Sequence, residues 1–175
     1  MNLQQEEPIF AEAYFQITNH QIIHTLYFYY YDPSKVYFHL MNTGAIKGEL
    51  EEIQKNLQNF IDEDDLLVNQ KKVRMIIRKT MLEFREKKPE YPFLIFKIAS
   101  QEIKLHEDKL NEIHLFAKPE KIPYSAISCW ETKGEITSVE SNSYYVLSHN
   151  KKQLVFYLSK EEIIGGDERL IIRLN

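Results

Sequence analysis

Apolar and polar residues alternate with period two over residues 10–18: Ala11, Ala13, Phe15 and Ile17 point one way, Glu12, Tyr14 and Gln16 the other. The same alternation runs through residues 22–31. There Ile22, His24, Leu26, Phe28 and Tyr30 share one face, and Thr25, Tyr27, Tyr29 and Tyr31 share the opposite one. Aromatic and β-branched side chains suit a pleated, half-buried surface, so both segments are predicted strands. Asp32-Pro33-Ser34 supplies turn chemistry. Residues 35–41 then read as a third strand, with Val36, Phe38 and Leu40 inward and Tyr37 and His39 outward. Stacked as a meander, the three strands gather Tyr14, Tyr27, Tyr29, Tyr31, Tyr37 and His39 on a common face.

The period then changes to that of a helix. Ile46, Leu50, Ile53, Leu57, Phe60 and Ile61 form an apolar stripe over residues 45–61, with Thr43 as the expected N-cap. Residues 66–88 fit either period; the β-branched share favours strand, and Asn69-Gln70 reads as a hairpin turn. From residue 91 onward the pattern is β throughout. Residues 93–99 form a nearly continuous apolar run, as a buried central strand requires. Short strands follow at 102–105, 112–117, 124–131, 135–140, 144–148, 154–158 and 170–174, and the intervening Gly, Asn and Pro residues mark turns.

The expected fold is therefore mainly β (α+β). An N-terminal antiparallel three-stranded sheet with one amphipathic helix (1–65) precedes a β-sandwich or partly open barrel of short antiparallel strands (66–175). The two regions are also compatible with one continuous domain. Residues 1–8 are expected to be a flexible start.

Composition narrows the class. The chain has 175 residues, 43% hydrophobic and 27% charged, with only five Gly and six Pro, which fits a packed fold and excludes low-complexity repeats. Cys129 is the single cysteine, which excludes an internal disulfide and a zinc-finger framework. Its place beside Trp130 in a core strand makes it an inert thiol. An acidic, polar N-terminus and apolar runs far below the ~20 residues of a membrane span point to a cytoplasmic, soluble protein without membrane contact.

Charge is unevenly spread. Residues 71–88 hold eight basic side chains, among them Arg74 and Arg78, against Glu83 and Glu86; residues 47–65 hold seven acids against two lysines. The two segments are expected to compensate each other or to pair across an interface. Chemistry is sparse. No phosphate loop, dinucleotide fingerprint or nucleophile elbow occurs. His106 and His114 bracket an acidic stretch, but the spacing is not that of a metal-binding helix, and a polar hairpin tip accounts for them. An enzyme would need a concave pocket in which two of His39, His106 and His114 converge. No catalytic residue, cofactor or metal site is assigned.

The sequence thus leads to a non-catalytic binding module for a protein partner, or for self-association, through its aromatic sheet face. The alternative is a single-stranded nucleic-acid binder using segment 71–88 and the tyrosines. The candidate surface is Tyr27, Tyr29, Tyr31, Tyr37, His39, Arg74 and Arg78.

Overall fold

A computed structural model describes residues 7–174. The described residues form twelve strands and two α-helices: β1 (Glu7–Ile17), β2 (Ile22–Tyr31), α1 (Val36–Thr43), α2 (Ile46–Glu63), β3 (Asp65–Val68), β4 (Lys71–Val73), β5 (Met75–Phe84), β6 (Pro92–Ser100), β7 (Leu110–Lys121), β8 (Ser125–Thr132), β9 (Glu135–Glu140), β10 (Tyr145–Leu147), β11 (Gln153–Leu158) and β12 (Ile163–Arg173). They build two sheets. One has seven strands in the order β10-β11-β8-β1-β2-β6-β5; the other has five, in the order β4-β3-β7-β12-β9. The fold is mainly β, sandwich-like, and neither sheet closes into a barrel. Among the described residues, no helix is long and apolar enough to cross a membrane.

The expected three-stranded start needs correction. Glu7 and Pro8 already belong to β1, and residues 1–6 of the expected flexible start lie outside the described residues. Residues 35–41 do not form a strand: Val36–Thr43 is helix α1. Two causes act together. Asp32 is fully buried, and its Oδ2 accepts the backbone N–H of Tyr37 at 3.2 Å, satisfying a first-turn amide. Both sides of β2 are also already occupied, by β1 and by β6, so no ladder is open to a following strand. Thr43 consequently ends α1, with Gly44 beyond it at φ +77°, instead of capping α2.

Two apolar layers hold the sheets. Between them lie Ile17, Ile22, Leu66, Ile113, Trp130 and Ile172, among others. Towards the β5 end, the same face of the seven-stranded sheet is covered by α2, whose Leu50, Ile53, Leu57 and Ile61 pack on Ile77, Leu94, Phe96 and Ile98. The helical stripe read from the sequence is thus the covering face, except that Phe60 is exposed.

Residues 66–84 are strands. Asn69 and Gln70 both adopt positive φ at the β3–β4 hairpin, the geometry that asparagine tolerates best after glycine. Residues 102–105 are irregular rather than a strand, and β7 runs unbroken through Lys118-Pro119. A register shift in its pairing with β12, between Ile164 and Gly166, opens a bulge where proline's missing N–H leaves no ladder bond unmade. The Gly165-Gly166 pair, expected as a turn, is that bulge. Gly165 sits at φ +86°, and a Cβ there would lie 2.8 Å from the Lys118 carbonyl oxygen.

The seven-stranded sheet draws strands from both sides of residue 65. β1 is flanked by antiparallel β2 and by β8, which runs parallel to it.

Candidate functional site

One face of the seven-stranded sheet packs on the second sheet and α2. The other face carries Tyr27, Tyr29 and Tyr31 from β2, Phe10, Glu12 and Tyr14 from β1, and Phe93 and Ile95 from β6, as the pairing registers require. On β8 and β11 it continues with Ile127, Cys129 and Tyr157. Among the described residues no helix or strand packs over this face. Tyr14 is 45% exposed, Tyr31 42% and Tyr157 46%. Cys129 is half-buried on it, and burial raises its thiol pKa, which keeps it protonated.

The rings form one connected layer. Tyr14 meets Tyr27 edge-on at 6.1 Å, Tyr27 lies parallel to Tyr29 at 6.4 Å, and Tyr29 stacks with Phe93 at 5.5 Å. Tyr31 lies against Tyr91 at 5.5 Å. Glu12 sits in the middle and its Oε2 accepts the hydroxyls of Tyr14 at 3.3 Å and Tyr29 at 3.2 Å. Burial, with the adjacent Glu12 carboxylate, pushes the Tyr29 phenol up to about 12, so it stays a neutral donor. Beside it a shallow depression of about 620 Å³ opens between Phe10, Tyr29, Phe84, Arg85 and Phe93.

Tyr37 and His39 do not belong to this face. Helix α1 carries Tyr37 to the opposite side of β2, where it is 7% exposed and its ring meets Tyr30 at 6.1 Å. His39 is exposed on α1 beside Phe38. The basic segment is likewise divided. Arg74, between β4 and β5, forms a two-bond pair with Asp62 at 2.6 and 2.9 Å. Lys72 pairs with Asp65 and Lys88 with Glu86. Arg78 is exposed at a bulge in edge strand β5, between Ile77 and Lys79.

The remaining histidines do not converge. His106 precedes β7, its N–H held by Asn111. His114 is buried on β7, where its Nε2 lies 2.5 Å from Asp167, and that contact lowers the Asp167 pKa. The Arg169 guanidinium also lies beside Asp167, at 3.4 Å. Among the described residues no three His, Cys, Asp or Glu side chains are grouped to hold a metal ion.

The fold and this face define a two-sheet, mainly β protein with a broad uncovered aromatic surface. No family model matches the chain, and no curated protein does. Among solved structures it is similar to native yeast LTA4 hydrolase, at 8% identity and a TM-score of 0.38. That likeness covers 99% of this chain and 30% of the other. The yeast LTA4 hydrolase complex with Bestatin gives 7% identity and a TM-score of 0.36 over the same shares. The chain thus spans under a third of the length of these structures, and likeness at that level carries no argument about function.

Proposed function

We propose that the protein is a non-catalytic binding module that recognises another protein through the outer face of its seven-stranded sheet. The observation that carries this reading is the continuous ring layer from Tyr14 to Phe93, half-exposed and covered by no other element. Monomeric proteins rarely leave large apolar patches open unless a partner uses them. Tyrosine supplies rigid contact area together with a hydrogen-bonding tip, the combination enriched where proteins meet. The depression beside Tyr29 offers a seat for one anchoring side chain of the partner. Charge supports a protein over a polyanion: Glu12, Glu83 and Glu131 balance Lys79 and Lys97 in the registers of this face. Within segment 71–88, Lys72 and Arg74 pair with Asp65 and Asp62, and Lys88 pairs with Glu86.

The test places a photoreactive benzoylphenylalanine at Tyr14, at Tyr31, and at Glu51 on the exposed side of α2 as control, in cells of the source organism. The expected result is one discrete polypeptide cross-linked from positions 14 and 31 and absent from position 51. That polypeptide, purified, should bind with micromolar or better affinity and lose at least tenfold on Tyr29→Ala. Cross-linking to a second copy of this chain would specify self-association. Binding of labelled single-stranded DNA or RNA that weakens steeply with salt, and disappears in Arg78→Ala, would replace the protein reading with nucleic acid. No product from either tyrosine position would overturn the proposal.

A further inference from the structure

The inner side of the seven-stranded sheet holds a separate feature. Trp130, Phe15 and His24, neighbours across β8, β1 and β2, stack nearly parallel, with centroids 4.0 and 3.9 Å apart and interplanar angles of 11° and 16°. These rings form a wall between two spaces enclosed by the sheets and the C-terminal turns of α2. One space measures about 500 Å³ and the other about 280 Å³. Both are lined by Phe15, His24, Ile61, Asp64, Leu115 and Trp130, so they meet at the stack. The larger one opens at a rim formed by exposed Asp62, Lys72, Arg74 and Gln101. Its volume lies within the range of small-molecule pockets, and its walls are mostly apolar.

His24 is anomalous in this setting. Its Nε2 is buried and has no hydrogen-bond partner, whereas nearly all buried polar atoms in folded proteins have one. Desolvation holds the ring neutral, with its pKa pulled down to about 3. In the Nδ1–H tautomer of this neutral imidazole, the unpaired Nε2 offers a lone pair. Asp64, which lines both spaces, and Glu168, which lines the smaller one, are desolvated carboxyl groups, and burial raises the pKa of both. A hydrogen-bond-donating head would satisfy the imidazole nitrogen and compensate these desolvated carboxyl groups.

We propose that the space between the sheets is a binding site for an apolar small molecule carrying a hydrogen-bond-donating head, an alkylamine in the simplest form, with His24 Nε2 accepting from that head. The apolar body lies along Phe15, Leu115 and Ile61, and entry is past the Asp62–Arg74 pair. The site is separate from the outer face, so its failure and that of the protein-binding reading are distinguishable.

Trp130 is the single tryptophan of the chain and stands in the wall of the site, so its emission reports occupancy. Octylamine and octanoate, both below their micelle concentrations, are titrated against the full chain. Octylamine should change Trp130 emission saturably and bind at least tenfold tighter than octanoate. His24→Phe keeps a ring in the stack and should remove that preference. Ala13→Phe, which fills the smaller space, should weaken octylamine at least fivefold. If His24→Phe does not fold, the imidazole ¹⁵N resonance of His24 in the wild-type chain should shift on saturation with octylamine. No saturable change with octylamine up to 1 mM, equal affinity for the two probes, or an unmoved His24 resonance at saturation would overturn the proposal.

Discussion

Asn111 shows what a single polar residue does in this core. It is fully buried on β7, and its amide makes four hydrogen bonds: Oδ1 accepts from Asn69 Nδ2 and the His106 N–H, and Nδ2 donates to the carbonyls of His106 and Lys109. It thereby pins the loop before β7 to the β3–β4 hairpin. Asn111→Ala strands several of these partners, and urea denaturation should show a loss of about 3 kcal/mol. His24 gives a pH signature. The unfolded imidazole takes up a proton near pH 6.5, whereas the folded one resists until about 3. The unfolded state thus binds more protons below about pH 6.5, and stability falls by about 1.4 kcal/mol per unit as the pH drops from there. Asp64 and Glu168, with raised pKa values, act in the opposite sense over the acid range. Comparing wild type with His24→Phe at pH 7, 6 and 5 isolates the histidine. The variant should gain on wild type with each step downward, and a constant gap would contradict the assignment. That His24 faces inward followed from alternation alone. That its nitrogen lacks a partner depends on strands far apart in the chain, which no local pattern encodes.

Among the elements, alternation located β1 and β2 and assigned their faces, because each has one buried side and side-chain period enforces it; a nearly continuous apolar run located β6. It failed at α1. Val36, Tyr37, Phe38, His39 and Leu40 satisfy both periods, and the deciding groups are Asp32 and the occupied edges of β2. The consequence for the candidate surface was direct: Tyr37 and His39 went with the helix, while Tyr27, Tyr29 and Tyr31 stayed on the sheet. Helix α2 has a second role that its apolar stripe does not disclose. From its side, Gln58 donates through Nε2 to the Met75 carbonyl at 3.0 Å and accepts the Ile77 N–H on Oε1 at 2.9 Å. Gln54 receives the Thr80 hydroxyl at 2.9 Å. The glutamine amide therefore substitutes for a neighbouring strand at the edge β5, one of the ways proteins protect such edges. Gln58→Ala should cost about 1–2 kcal/mol in denaturant unfolding and speed hydrogen exchange at Ile77. Unchanged protection at that amide would remove the assignment.

Taken whole, the molecule is two sheets and a helix around two apolar layers, and its mainly β class was readable from strand spacing and turn residues. Sheet membership was not. Local alternation identifies a strand without naming its neighbours, so the assembly of β1 with β8 was invisible. Gly134 is tied to the same long-range arrangement: a Cβ there would fall 2.1 Å from the Arg173 carbonyl oxygen, so Gly134→Ala should lower the melting temperature by several degrees in a thermal scan. The parallel pairing of β1 with β8 also bears on synthesis. β1 is complete at Ile17, but the strand that closes its second side begins only at Ser125. At translation speeds of ~5–20 residues per second, the nascent chain presents an open, tyrosine-flanked edge for roughly 5 to 20 s before that strand exists. During that interval the unpaired edge is open to pairing with other chains, and slower elongation lengthens its exposure.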